Sequence, residues 1–358
     1  MKLIIRFFLS VVLLFVLAFG GLLLYSTLTD YSPEPESEES VAVNGPASLP
    51  VAGDTLQCLI WNIGYAGLGK EMDFFNDGGK GVRPDEEMAS TYLKGIVEFL
   101  RTEAPMLDFI LLQEVDRDSK RSYHTDQVES ISKTLPGFAS GFALNYDVKF
   151  VPVPFAFPYK PYGKTYGGLM SLSRHPVKSA TRLQYPGGFG WPTKLYMLDR
   201  CALEFHIPLA SGKELLLVNT HNTAYDASGE IKKQELSFMK KRYEAAAAGG
   251  NAVLIGGDWN QVPPGWDSGH FSTEMPDGYT PQSLSAELIP AGFKVAFDSS
   301  MATNRSNDKP YNATTTYTTL IDYFMASPSV EILEAKGVDL GFSFSDHQPV
   351  KLKFVVKP

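Results

Sequence analysis

The strongest constraint on this chain is a series of short apolar runs, each of strand length and most ending in a compact polar motif. The motifs are Trp61-Asn62-Ile63, Leu112-Gln113-Glu114, Asn219-Thr220-His221, Gly257-Asp258-Trp259-Asn260, Ile321-Asp322-Tyr323 and Ser345-Asp346-His347. Runs of this kind read as buried strands rather than as helices. Asn, Glu, His, Asp-x-Asn, Asp and Asp-His at strand ends are the groups needed to hold a hard cation against a phosphate and to activate water. One such motif carries little weight; the ordered set carries the reading.

The rest of the pattern supports a strand-rich domain. Leu56 to Ile63, Phe109 to Leu112, Gly168 to Ser173, Tyr196 to Ile207, Glu214 to Thr220 and Ala252 to Ile255 read as strands, with Gly137 to Phe150 as one or two more. Tyr317 to Ala326, Val330 to Lys336 and Pro349 to Val356 close the domain. Helices are expected after Pro84, over Asp126 to Leu135 and over Glu230 to Ala247. Gly64 to Gly81, the proline- and aromatic-rich Val151 to Tyr166, and Pro263 to Pro281 read as loops. Strands outnumber helices, which favours two packed sheets flanked by helices over one doubly wound sheet.

Before this domain lies Phe7 to Tyr25, an uncharged apolar stretch preceded by Lys2 and Arg6 and followed by Asp30 and several glutamates. Its length suits one bilayer crossing, which takes about 20 residues, and its basic flank predicts a cytoplasmic N-terminus with the remainder outside. A signal anchor over 1–26 is favoured over a cleaved signal peptide, because the run is long and lacks an Ala-x-Ala site. Residues 27–53, rich in Ser, Pro and Glu, read as a disordered linker, and 54–358 as one catalytic domain. The expected location is therefore membrane-anchored and extracytoplasmic, or secreted if the signal is cleaved, and the expected state is a monomer.

The chain of 358 residues carries a net charge of −8 and a pI near 5.4. A protein that grips long duplex DNA usually has a basic footprint, so nucleic acid is a disfavoured partner. The two cysteines, Cys58 and Cys201, lie in apolar runs and read as buried thiols, with a disulfide as the alternative.

The ordered motifs resemble the endonuclease/exonuclease/phosphatase superfamily over most of Thr55 to Lys357. The resemblance implies a four-layer α/β sandwich of two mainly antiparallel sheets flanked by helices, here preceded by one transmembrane helix. It also implies a metal-dependent phosphoesterase using magnesium, with manganese as a substitute. Glu114, Asn62 and Asp346 are the implied metal residues. Asp258 is the implied water activator, Asn260 and His347 the phosphoryl contacts, and Asp322 the acid that orients His347. His221 resembles a proton donor for the leaving oxygen and points to the deoxyribonuclease-like and sphingomyelinase-like branches. Arg200, Asn222 and Tyr166 are candidate substrate contacts.

Two departures bear on substrate. Leu320 stands where nuclease-like members carry Arg, and Tyr166-Gly167-Gly168-Leu169-Met170-Ser171 lacks the usual Asn or Lys. The expected substrate is a phospholipid headgroup, a phosphoinositide-like molecule or another small phosphodiester. A nuclease is the runner-up, and a binding protein that has lost the reaction is the alternative from another class. A zinc hydrolase lacks a His-x-x-x-His cluster, and a serine hydrolase lacks a Gly-x-Ser-x-Gly elbow.

Overall fold

The computed structural model describes residues 1–43, 48–271, 275–276 and 281–358. Part of the expected linker and parts of the loop expected over Pro263–Pro281 lie outside the described residues. In chain order the first elements are α1 (Lys2–Leu28), β1 (Glu36–Glu39), β2 (Val41–Ala42), β3 (Thr55–Asn62), α2 (Glu86–Glu103), β4 (Phe109–Asp116), α3 (Gln127–Thr134) and β5 (Ala139–Val151). They are followed by β6 (Gly163–Ser173), β7 (Ser179–Gln184), β8 (Cys201–Pro208), β9 (Glu214–His221), α4 (Glu230–Ala248), β10 (Ala252–Asp258) and β11 (Lys294–Ala296). The last are β12 (Asn304–Arg305), β13 (Thr318–Thr319), β14 (Asp322–Ala326), β15 (Val330–Gly337) and β16 (Val350–Val356).

Two seven-stranded sheets result. One has the order β1-β7-β8-β9-β10-β14-β11 and the other β15-β16-β3-β4-β6-β5-β2. Neighbouring strands are antiparallel except β9 with β10 and β3 with β4. The alternation of side chains along each strand sorts the core into layers. Leu56, Cys58 and Ile60 of β3 face Leu203, Phe205, Leu217 and Leu254 of the other sheet, so this cluster fills the space between the sheets. Leu59 and Trp61 face the opposite way, onto Tyr92, Ile96 and Leu100 of α2 and Ile131 of α3. On the far side Leu216, Val218, Val253 and Ile255 pack on Leu236, Met239 and Tyr243 of α4. The order helix, sheet, sheet, helix is the expected four-layer sandwich.

Two of the helices start at aspartate caps. Asp85 accepts the Met88 amide at the head of α2 and Asp126 that of Glu129 at the head of α3. Cys58 and Cys201 are both buried free thiols, and burial pushes the Cys201 thiol up to about 11.

The segment read as a disordered linker needs correction. Glu36–Glu39 pairs antiparallel with β7 and Val41–Ala42 with β5, so this stretch completes one edge of each sheet. Composition missed this because an edge strand is held by backbone hydrogen bonds to a ladder already in place and can leave its side chains in water. Two further differences concern boundaries. Tyr196 to Arg200 precedes β8, starting at the last residue of a short helical turn over Thr193–Tyr196, and β7 lies in a stretch with no expected strand. The N-terminal apolar run forms α1, a helix of 27 residues whose most apolar stretch of 18 has a mean hydropathy of 2.8 and is not buried in the protein. By length and composition it is long enough to cross a membrane.

Candidate active site

The parallel pairs β3/β4 and β9/β10 deliver their C-terminal ends to the same place. Asn62 lies opposite Gln113 and His221 opposite Asp258. The two sheets are pinned there by buried amides: Gln113 Nε2 donates to Asn219 Oδ1 at 2.7 Å, and Asn219 Nδ2 donates to the Leu112 and Met170 carbonyls at 3.0 Å. Gly257 permits the close approach of β9 and β10. Its φ is +149°, and an added Cβ would overlap the Thr220 carbonyl.

Asn62 is the hinge of the cleft. Its Nδ2 donates to Glu114 Oε1 at 3.2 Å and to Asp258 Oδ2 at 3.0 Å, so residues from the two sheets share one amide. Glu114 is aimed into the cleft by a bulge in β4, where the register shifts between Leu112 and Val115, and it holds a left-handed φ of 54°. A bulky residue keeps such a conformation only when its surroundings impose it. His347 Nδ1 meets Asp322 Oδ2 at 2.8 Å, and its Nε2 lies 3.7 Å from Asp258 Oδ2. Asn304 Nδ2 stands 3.0 Å from the same Nε2. An amide can offer either its oxygen or its nitrogen, so Asn304 suits both protonation states of the ring.

The two histidines of the cleft are driven in opposite directions. Burial would lower the pKa of His347, but the carboxylates of Asp322 and Asp258 outweigh it and raise the value well above its ordinary level. His221 Nε2 lies 3.4 Å from Asp258 Oδ2 and 4.0 Å from Glu114 Oε1, and its Nδ1 is buried without a partner among the described residues. Burial, then the positive charges of Arg200, His347 and Arg121, hold it well below the ordinary value and keep it neutral. Among the described residues no carboxylate meets His221 Nδ1, as one would have to for a strong proton donor. Burial raises both Asp258 and Glu114, with His347 and Arg121 respectively offsetting part of the rise.

Asp346 accepts Asn307 Nδ2 at 2.6 Å, and its charge raises Glu114 further. Arg200 stands just before β8 with a buried Nη1 that has no partner among the described residues, and its charge acts on Glu114 and His221. Asn260 is close to Asp258 for a reason other than strand alternation. β10 ends at Asp258, and Asn260 turns back with φ 51°, its amide N–H donating to Asp258 Oδ1 and its Nδ2 to the Asn222 carbonyl. Between them Trp259 points away and stacks on Tyr323 at 5.1 Å.

Two further expected substrate contacts carry structural hydrogen bonds. Asn222 is a correction: its side chain is spent on Glu235 Oε2 and the Thr220 hydroxyl, so it braces the Asp258–Asn260 turn against α4 instead of reaching the cleft. The Tyr166 backbone N–H donates to Ser119 Oγ and its carbonyl accepts the Arg117 amide, which shapes the loop before Arg121.

Several site residues carried no sequence signal. Arg121 is buried against the Tyr65 ring at 3.8 Å, pairs with Asp116 at 2.8 Å and lies 4.0 Å from Glu114. Asp77, from the Gly- and Asp-rich loop, is held by Tyr225 Oη at 2.8 Å and Asn307 Nδ2 at 3.3 Å, and burial raises its carboxyl to about 6. Asn304, just after the loop that follows β11, meets His347 Nε2. Only the fold could bring such residues in, because each comes from a loop, a short turn or a two-residue strand with no periodicity to read.

The donor chemistry fits a divalent cation. Asp258, Asp322 and His347 offer ligand atoms within 4.8 Å of one another, but both His347 nitrogens already have partners. Glu114 and Asp346 keep carboxylate capacity, and so does Asp322, whose Oδ1, like the Asn307 Oδ1 beside Asp346, is buried without a partner among the described residues. An oxygen-rich set short of positive charge suits a hard ion.

Comparison with known proteins agrees with this geometry. No curated protein sequence matches the chain significantly. Among solved structures, the chain is similar to an endonuclease/exonuclease/phosphatase from Beutenbergia cavernae DSM 12333 at 18% identity and TM-score 0.57, covering 85% of this chain and 72% of that one. It is similar to one from Bacteroides vulgatus at 17% and 0.54, covering 85% and 100%, and to ANGEL2, a 2′,3′-cyclic phosphatase, at 13% and 0.55, covering 90% and 99%. At these identities the likeness is one of fold. The model of the Endonuclease/Exonuclease/phosphatase family matches residues 60–347, a span that holds nearly every cleft residue described above, and the chain belongs to that family.

Proposed function

We propose that this protein is a membrane-tethered, extracytoplasmic phosphoesterase that uses magnesium and hydrolyses its ester by direct attack of water. The observation that carries the reading is Asn62 bridging Glu114 and Asp258 while His347 approaches the same Asp258 oxygen. Glu114, with Asp346 and Asn62 beside it, would hold the cation; when bound, that ion neutralises charge on the phosphoryl group. Asp258 accepts the proton of the attacking water, and its raised affinity for protons suits a base working near neutrality. His347, kept charged by Asp322, and Asn260 stabilise the phosphoryl oxygens. Arg200, with a nitrogen unpartnered among the described residues, offers a further contact to phosphate. His221 fits better as a neutral hydrogen-bond partner of Asp258 than as an acid.

The acidic net charge of −8 and the apolar α1 favour a phospholipid headgroup or another small phosphodiester over long nucleic acid. A panel of DNA, RNA, sphingomyelin and inositol phosphates, assayed with and without chelator, tests both the class and the substrate. Turnover that survives chelation, or that is unchanged by Asp258→Ala and His347→Ala, would overturn the assignment.

A further inference from the structure

The strand register puts three features at one end of the sandwich. On β5, Tyr146 lies opposite Gly167, which in turn lies opposite Asp116, close to Glu114. β5 then runs on to Val151 beyond the cleft, and the loop that follows carries Phe155, Phe157 and Tyr159, exposed by 76%, 101% and 51%. In the other sheet β7 ends at Gln184 opposite Cys201, beside Arg200, and the connecting loop carries Trp191, exposed by 59%. Both aromatic loops therefore extend past the same end at which the polar motifs converge.

The end of α1 is tied to that place as well. Thr27 Oγ1 accepts Trp191 Nε1 at 3.2 Å, Ser26 Oγ meets Tyr196 Oη at 3.1 Å, and Asp30 pairs with Lys194 at 2.9 Å. Tyr146 Oη donates to the Tyr196 carbonyl, which links this contact to the rim strand. Chain connectivity says the same: Pro35 accepts the Gln184 amide, and Glu36 enters the sheet beside Leu183 and runs away from the cleft.

We propose that the mouth of the active site faces the bilayer that α1 enters, with Phe155, Phe157, Tyr159 and Trp191 seated in the interfacial layer. The enzyme then acts on phosphodiesters carried by lipids of that leaflet. The proposal rests on the membrane-tethered phosphoesterase reading. Aromatic rings are favoured at the headgroup level, where one face is dry and a polar tip stays wet. Four such rings in water carry a hydration cost that an adjoining bilayer removes. A second copy or a soluble partner could cover them too, but only the bilayer is continuous with the apolar surface of α1.

The full chain carrying Trp191→Phe and Phe157→Trp is reconstituted in phosphatidylcholine vesicles with and without bromine near the glycerol end of the acyl chains. The chain carrying Trp191→Phe alone supplies the background of the other tryptophans. The reporter at 157 is expected to emit at shorter wavelength than in water and to lose most of its emission to bromine. Water-like, unquenched emission from protein that floats with the vesicles would overturn the docked orientation. A blue shift insensitive to bromine would overturn it in favour of contact with a second copy. Failure to float would instead remove the tether itself. Phe155→Asp combined with Phe157→Asp is expected to lower turnover of vesicle-borne sphingomyelin or phosphatidylinositol severalfold and to leave a water-soluble nitrophenyl phosphodiester unaffected. Equal loss on both would overturn the lipid-presented substrate.

Discussion

Two regions of this molecule bury acids beside histidines, and they resolve the charge differently. Under α4, Glu204 is fully buried and receives His206 Nε2 at 3.1 Å and Arg242 Nη2 at 2.8 Å. Glu214 holds the other nitrogen of His206 at 2.8 Å. Burial alone would raise Glu204, but these donors outweigh it and bring its carboxyl down to about 2. In the cleft, Asp258 is held by a neutral amide and a neutral imidazole, with the cationic His347 farther off, and it stays raised; Glu114 stays raised too. A buried acid whose charge is matched on the spot is structural. A buried acid left short of positive charge is stored capacity for something not yet bound.

The comparison is broken most directly by removing the cleft groups. Asp258→Ala and His347→Ala are each expected to lower turnover by about 10³-fold or more while leaving the melting temperature nearly unchanged. Steady-state rates and thermal melts check this, and a large loss of stability with either would make the cleft structural as well.

Glu204→Gln should do the reverse, costing about 3 kcal/mol of stability with turnover unaltered, as measured by urea unfolding. The pH dependence follows from the same group. Its folded pKa, about 2, lies below the ordinary 4.5. The stabilisation is therefore complete above pH 4.5 and is lost as the pH falls towards 2, and Glu204→Gln should flatten that part of the stability curve.

Magnesium should discriminate between the regions next. At about 100 times its dissociation constant it should stabilise the wild type and Glu204→Gln alike by about 2.7 kcal/mol. The gain should largely vanish in Glu114→Gln, which in chelator should be no less stable than the wild type. Calorimetric melts with and without metal provide the reading.

The smallest effect concerns His221. As a neutral hydrogen-bond partner it is worth about 1 kcal/mol, so His221→Gln should slow turnover about fivefold. A loss as deep as that of His347→Ala would make His221 the proton donor after all.

Much of the sandwich was legible because burial imposes a pattern. Runs such as Phe109 to Leu112 have apolar side chains on both faces, as strands between a second sheet and a helix layer must. The motif residues were legible because polar groups cannot end apolar runs by accident so many times. What escaped was carried by backbone pairing or by loops. Glu36–Glu39 joins a sheet through its main chain, and Asp77, Asn304 and Asn307 come from segments with no periodicity to read. Asn222 was misread for the opposite reason: it sits beside His221 in sequence, but its side chain is turned to Glu235.

The sequence by itself determined which chemical groups are available and that they lie at the ends of buried strands, since hydrophobic alternation and motif order are local properties. Tertiary structure decided which groups share a charge environment. Protonation depends on distances of a few ångströms between residues far apart in the chain, so only the packed sandwich could leave His347 charged, His221 neutral and the acids around Glu114 undercompensated. The same packing placed the aromatic loops and the end of α1 at the mouth of the cleft.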